Sequence, residues 1–321
     1  ALGREPGVGD RRQWFGAAAS PRQCARPDGK LGVMSEHAPL ILLDCDPGHD
    51  DALAIVAAAR FGDLVGITTV AGNAPIESTT HNARVMRDLL GIDVPIHAGS
   101  PRPLLAPPQF GAFVHGESGL DGADLPEPTT PLDGTDAVSF IVDTCRATEG
   151  IRLVPVGPLT NIALALRAAP DLAQRISGIS LMGGGTFGNR NTHGEFNIWA
   201  DPEAARIVFG YGGPLSMAGL DVTYRFQATP ARIERVRAVP GRLAALFAEL
   251  LTFFTDNYVT RHDPGAITGA AVHDPLAVFA VTHPELFSRV ARHVDVETRG
   301  ELTRGMTVID ERRLLGRPDP N

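Results

Sequence analysis

From about residue 38 the apolar positions fall into short runs separated by stretches of helical period, the pattern of parallel strands joined by crossover helices. Leu40, Ile41, Leu42 and Leu43 are consecutive rather than alternating, which suits a strand buried on both faces. Pro47 and Gly48 stop that strand, and the spacing of Leu53, Ile55 and Val56 among alanines predicts a helix from Asp50 onward. The alternation then repeats, with strands expected at 64–70, 94–98, 152–156, 176–182 and 215–218. Helices are expected at 76–90, 137–148, 160–168, 230–236 and 241–261, and a β-hairpin from 290–297 and 303–309. An irregular stretch runs from 99 to 132, and loops of that length in compact domains are usually functional or disordered. The expectation is an α/β chain: one domain over 38–321 with a mostly parallel, Rossmann-like central sheet flanked by helices. Residues 1–37, rich in Gly, Pro, Arg and Ala without period, read as a disordered extension.

The candidate chemistry sits where the first strand meets the first helix. Asp44, Asp46, Asp50 and Asp51 lie within eight residues. A single aspartate at a helix start is ordinarily a cap. Four on one strand-turn-helix repel one another unless a cation or shared protons offset the charge, and oxygen donors select hard ions such as Ca2+ or Mg2+. An EF-hand loop begun at Asp44 requires glutamate at its twelfth position, which is Ile55. An aspartyl phosphatase of the haloacid dehalogenase type, or a P-loop, needs a lysine downstream, and the one lysine is Lys30. In open parallel sheets ligands bind beyond the carboxyl ends of the strands. Asp46, Asn73, Val156, Met182 and Asp221 fall at or past such ends, and Asp274 opens a later helix.

The segment LLDCDPGHDDALAI resembles the N-terminal signature of the inosine-uridine-preferring nucleoside hydrolases, calcium-dependent N-ribosidases, and further motifs follow in that family's order. The resemblance implies hydrolysis of the N-glycosidic bond of a small-molecule ribonucleoside by a Ca2+-positioned water. It implies metal ligands Asp46, Asp51, Asp274 and the carbonyl of Val156, with Asp46 as general base. It further implies a ribose pocket of Asp50, Asn73, Asn189, Glu195 and Asn197, with Phe196 between the last two and Met182 against the sugar. Asn189 is assigned by its distance from Glu195, and Asn191 is the alternative. Glu195 and Asn197, two apart, share a face if the segment is extended. His273, in AVHD, matches the base-nonspecific or pyrimidine-preferring branch and is the candidate proton donor to the leaving base. His115, in HGESG, borders the base site, and Tyr258 resembles a mobile tyrosine of the family. Tyr224-Arg225 stands where the family often has His-Gln. The resemblance also implies a homodimer or homotetramer, and a final strand and helix beyond Asn321 that the sequence lacks. The alternatives are a hydrolase of a modified nucleoside, or a non-catalytic nucleoside- or sugar-binding protein of the same fold.

Composition narrows the partners. The net charge is −8 with no basic run, which argues against nucleic acid or an anionic membrane surface. No apolar run reaches the length of a membrane span. Cys24, Cys45 and Cys145 have no metal or redox spacing, so reduced thiols and a cytoplasmic setting are expected, and Met34 is a candidate natural start.

Overall fold

The computed structural model describes residues 38–260 and 267–312. The expectations for 1–37, for the end of the helix at Arg261 and for the residues after 312 lie outside the described part. Six parallel strands, β1 (Leu40–Cys45), β2 (Asp63–Thr69), β3 (Ile96–Ala98), β4 (Arg152–Pro155), β5 (Gly178–Met182) and β6 (Leu215–Ala218), form one sheet in the order β3-β2-β1-β4-β5-β6. The strand order reverses between β1 and β4, so the crevice beyond their carboxyl ends is the natural ligand site of such a sheet. β1 lies at that switch point. Ile41, Leu42 and Leu43 are fully buried, on both faces of the sheet, and each contributes roughly 1.5–3 kcal/mol of apolar burial.

Three helices govern the site. The helix α1 (His49–Phe61) follows β1 after a three-residue turn; α11 (Arg242–Val259) and α12 (Pro275–Thr282) close the far side. α12 is almost wholly apolar and lies against β5, where Ser180 Oγ donates to the Ala277 carbonyl at 2.8 Å. Between α1 and α11 the order is α2 (Ile76–Leu90), α3 (Ala112–His115), α4 (Ala137–Ala147), α5 (Thr160–Ala168), α6 (Leu172–Arg175), α7 (Phe196–Ala200), α8 (Pro202–Phe209), α9 (Leu220–Thr223) and α10 (Pro230–Arg237). Among the described residues no helix is long and apolar enough to cross a membrane.

Several expectations needed correction. The strand expected from residue 94 starts at Ile96, and the one expected from 176 starts at Gly178, because the preceding residues turn in α6. The hairpin is only β9 (Val294–Val296) with β10 (Thr307–Ile309), and a second small antiparallel pair joins β7 (Gln227–Ala228) to β8 (Ala270–Ala271). The extended reading of Glu195 and Asn197 is wrong. Glu195 is the N-cap of α7, its carboxylate accepting from the N–H groups of Asn197 and Ile198, so a local cap overrides the strand-like spacing. The long stretch 99–132 is irregular apart from α3, and its far end is pinned by buried Arg87, whose guanidinium bonds Asp133 and the carbonyls of Thr130 and Pro131.

Candidate active site

The turn from β1 into α1 folds a carboxylate back onto its own backbone donors. Asp51 does this by reaching backwards: its Oδ1 accepts from Asp46 N–H and its Oδ2 from Gly48 N–H, each at 3.0 Å. Asp51 is thereby the third helical residue of a capping box whose N-cap is Gly48. Asp50 instead accepts the backbone N–H of His273 at 3.1 Å, which ties α1 to the segment that opens α12. Asp274 touches Asp51 side chain to side chain. One oxygen each from Asp50, Asp51 and Asp274 fits within 4.8 Å. Asp46 joins this trio through Asp51.

All four carboxylates are buried, and the electrostatics is unfavourable as it stands. Loss of hydration, and for Asp46, Asp50 and Asp274 the repulsion of carboxylate neighbours, raise their pKa values: Asp50 to about 7, Asp46 and Asp274 well above the ordinary carboxylate range, Asp51 upward. Asp46 Oδ2 accepts the Asn73 N–H at 2.7 Å, whereas its Oδ1 is buried with no hydrogen-bond partner among the described residues. Gly72 and Gly157 press on this carboxylate so closely that a Cβ on either would collide with it. A buried, unpartnered carboxylate oxygen among three other carboxylates fits a hard cation, and the all-oxygen donor set fits the same kind of ion.

Above the cluster lies a cavity of about 300 Å³. Its polar end is lined by Asp50, Asn73, Glu195, Asn197 and Asp274, with Val156 and Met182 beside them. Asn197 Nδ2 donates to the Val156 carbonyl at 2.7 Å, and lies 3.4 Å from Met182 Sδ. Asn73 Nδ2 donates to Asp51 and to the Asp46 carbonyl, so it braces the cluster as well as facing the cavity. Burial pushes the Glu195 carboxyl up to about 7 despite its backbone donors. Asn189 and Phe196 sit at the rim, joined by the Phe196 N–H donating to Asn189 Oδ1 at 2.9 Å. Asn191 is spent elsewhere: it accepts from His193 and Gly194 and donates to the Arg304 carbonyl. Asp46 and Asp51 do not line the cavity, and Asp221 accepts from Thr186.

The other end is aromatic. α3 brings His115 and Phe113, α11 brings Phe254 and Tyr258, and Tyr224 follows α9. His273 is held by Thr223, whose Oγ1 is 2.7 Å from Nδ1, while Nε2 lies 3.5 Å from the Tyr258 hydroxyl. Burial lowers the His273 pKa to about 4, so the ring is neutral at pH 7; the expected proton donor near neutrality is not a free imidazolium. His115 stacks with His49, their Nδ1 atoms 3.1 Å apart, and is also held well below the usual histidine range by burial. Sequence reasoning missed His49, Phe113 and Phe254. His49 sits inside the aspartate segment, and Phe254 and Tyr258 are four apart on one helix face, the signal that could have found them.

Fold and site together define a doubly wound α/β protein with an acidic, sugar-sized pocket over its strand ends. Within that class the chain belongs to the inosine-uridine preferring nucleoside hydrolase family, whose model matches residues 41–321. It is an N-glycosyl hydrolase of ribonucleosides. The chain is 44% identical over 281 residues to the pyrimidine-specific ribonucleoside hydrolase RihA of Escherichia coli (strain SMS-3-5 / SECEC), covering 86% of this chain and 90% of that protein. Among solved structures it resembles the purine-preferring ribonucleoside hydrolase from Gardnerella vaginalis, at a TM-score of 0.81 and 35% identity over 87% of this chain and 90% of that one. It also resembles a plant nucleoside hydrolase, PpNRh1, at a TM-score of 0.80 and 28% identity, covering 88% and 90%.

Proposed function

We propose that the protein cleaves pyrimidine ribonucleosides by preference, with Ca2+ held by Asp46, Asp51, Asp274 and the Val156 carbonyl. The observation that carries this reading is the buried, unpartnered Oδ1 of Asp46 within four clustered carboxylates. Asp50 is left out of the ligand set because the family resemblance gives it to the ribose, although one oxygen each from Asp50, Asp51 and Asp274 fits within 4.8 Å. The Val156 carbonyl keeps a second lone pair beside its bond from Asn197. When bound there, a calcium ion supplies a Lewis acid that positions a water molecule and lowers its pKa.

Asp46 takes the proton from that water as its oxygen bonds C1′ of the ribose. The C1′–N bond breaks with its electron pair going to the base, so the products are ribose and free base. Asp50, Asn73, Asn189, Glu195 and Asn197 hold the sugar hydroxyls, and Met182 and Phe196 pack against the ring. The buried carboxylates favour the positive charge that develops on the sugar. His273, with Tyr258 and His115, occupies the end of the cavity toward which the base departs. The 44% identity to a pyrimidine-specific relative supports pyrimidine preference, and the family resemblance supports a homodimer or homotetramer.

The test is ribose release from uridine, cytidine, inosine and adenosine, with and without a calcium chelator, beside Asp46→Ala. Release that is fastest from uridine or cytidine, lost on chelation, restored by Ca2+ and abolished in the variant is the expected result. Equal activity in the chelated protein would sink the metal assignment, and a faster purine would sink the base preference.

A further inference from the structure

The rim of the catalytic cavity carries a cation that hydrolysis of a neutral nucleoside does not use. Arg190, exposed, is the only arginine or lysine among the described residues that line this cavity. It also lines a second cavity of about 590 Å³, and no other described residue lines both. The second cavity is walled by Leu105 and Gln109 from the long 99–132 stretch, by Trp199 and Glu203 from α7 and α8, and by Arg304. Glu203 is the one carboxylate in that wall, and Arg304 pairs with it at 3.2 Å. Arg190 has no such partner: its side-chain N–H groups meet no acceptor among the described residues.

The guanidinium is nevertheless held in place. It lies over the Trp199 ring, 4.4 Å from the centroid, and over Phe113 at 5.8 Å. A guanidinium on aromatic faces keeps its N–H donors at the planar edge, the fork that a phosphate accepts bidentately. The main chain beneath it is tied as well, since the Gly194 carbonyl accepts from the N–H groups of Asn189 and Arg190 at 3.2 and 3.0 Å. An anion on Arg190 would therefore sit beside Asn189, at the sugar's end of the rim. With the base toward His273 and Tyr258 and the ring hydroxyls among the polar residues, the 5′ carbon is the substituent of the ribose left to reach that rim.

We propose that Arg190 is the binding site for a phosphate on the 5′ carbon of the ribose, so that the protein also hydrolyses ribonucleoside 5′-monophosphates. The proposal rests on the nucleoside hydrolase reading above. The second cavity gives the phosphate room away from the carboxylate cluster, which would repel it. Water oxygen bonds C1′ and its proton goes to Asp46, while the C1′–N bond breaks with its electron pair going to the base. The phosphate ester stays whole, so the products are ribose 5-phosphate and free base.

The test compares uridine 5′-monophosphate with uridine, Ca2+ present, in the wild type and in Arg190→Gln, which removes the charge. The wild type should release uracil from both, with ribose 5-phosphate as the sugar product of the nucleotide. Arg190→Gln should lower kcat/KM for the nucleotide, relative to that for uridine, by about 10- to 100-fold, mainly through KM. Arg190→Lys, a charge without the fork, should restore part of that ratio. Cleavage of uridine with no ribose 5-phosphate from the nucleotide would overturn the proposal. So would an equal loss on both substrates in Arg190→Gln, or ribose and inorganic phosphate as products, which would mean that the ester is cut first. Inorganic phosphate that inhibits uridine cleavage only when Arg190 is present, without nucleotide turnover, would make this a site for a free anion and overturn the substrate assignment. Wild-type protein that cleaves neither substrate would overturn the hydrolase reading first and this assignment with it.

Discussion

Asp46 carries two demands that ordinary burial does not meet: an unpartnered oxygen and a carboxylate pressed between Gly72 and Gly157. Replacing it by asparagine keeps the volume and removes the charge and, in the proposed mechanism, the base. Ribose release should fall by roughly 10²–10⁴-fold, with weakened Ca2+ binding by calorimetry; an Asp46→Asn variant of normal activity would remove it from the mechanism. A gentler probe is Gly157→Ala. Its methyl group would meet the Asp46 carboxylate and displace it, so activity should drop although the substitution lies outside the ligand side chains. Unchanged kcat and KM in a folded Gly157→Ala protein would show that the carboxylate can move without cost. These residue-scale claims depend on positions a sequence only partly announces. The aspartates were legible from their density at a strand-to-helix turn; the two glycines flanking Asp46 come from β2 and β4 ends that only folding brings together.

At the scale of elements, the site is held by caps and ties between loops. Asp201 caps α8 through Ala204 N–H and, with its other oxygen, accepts from Leu104 N–H and Thr160 Oγ1. It therefore fastens the start of the long 99–132 stretch to the sheet side, as Arg87 fastens its end. Asp201→Ala leaves three donors without their acceptor and should destabilise the fold by about 1–3 kcal/mol, read as a lower urea midpoint. An unchanged midpoint would mean water replaces the lost acceptor. The helices themselves were legible: apolar periodicity located α2, α4 and α11 to within a few residues of their bounds. The short α7 was not, because a five-residue helix has no period to detect and its start is decided by the Glu195 cap.

For the whole molecule, the buried carboxylates link stability to pH and to the metal. A carboxyl whose folded pKa is raised binds its proton more tightly when folded, so its contribution is lost as pH rises from the unfolded value, 3.8 for Asp50, through about 7. The buried histidines act oppositely. His49 and His273 are lowered from 6.5 to about 4, so their effect raises stability with pH only up to about 6.5. Above that only the carboxylates titrate, and chelated protein should lose stability with rising pH at about 1.4 kcal/mol per pH unit for each carboxyl still protonated. With Ca2+ the ligand carboxylates are ionised and paired, so the decline should become shallower, leaving the share of Asp44 and Glu195, which burial also raises to about 7. Thermal midpoints measured between pH 6.5 and 8.5 with and without chelator check this; identical profiles would exclude the cluster as the metal site.

The sequence by itself determined the class of fold, the sheet's central strand and the family, because hydrophobic period and a dense local motif are properties of neighbours along the chain. It also singled out Asp46, Asp51 and Asp274 as candidate ligands, Asp46 by its place just past a strand end and all three through the family resemblance. Tertiary structure alone decided which groups share a hydrogen bond. Asn189 rather than Asn191 at the rim, the neutral His273 between Thr223 and Tyr258, and the stacking of His49 on His115 all depend on contacts between distant segments. Burial and proton sharing are set by what packs against a residue, and that packing is not written in the residue's own neighbourhood.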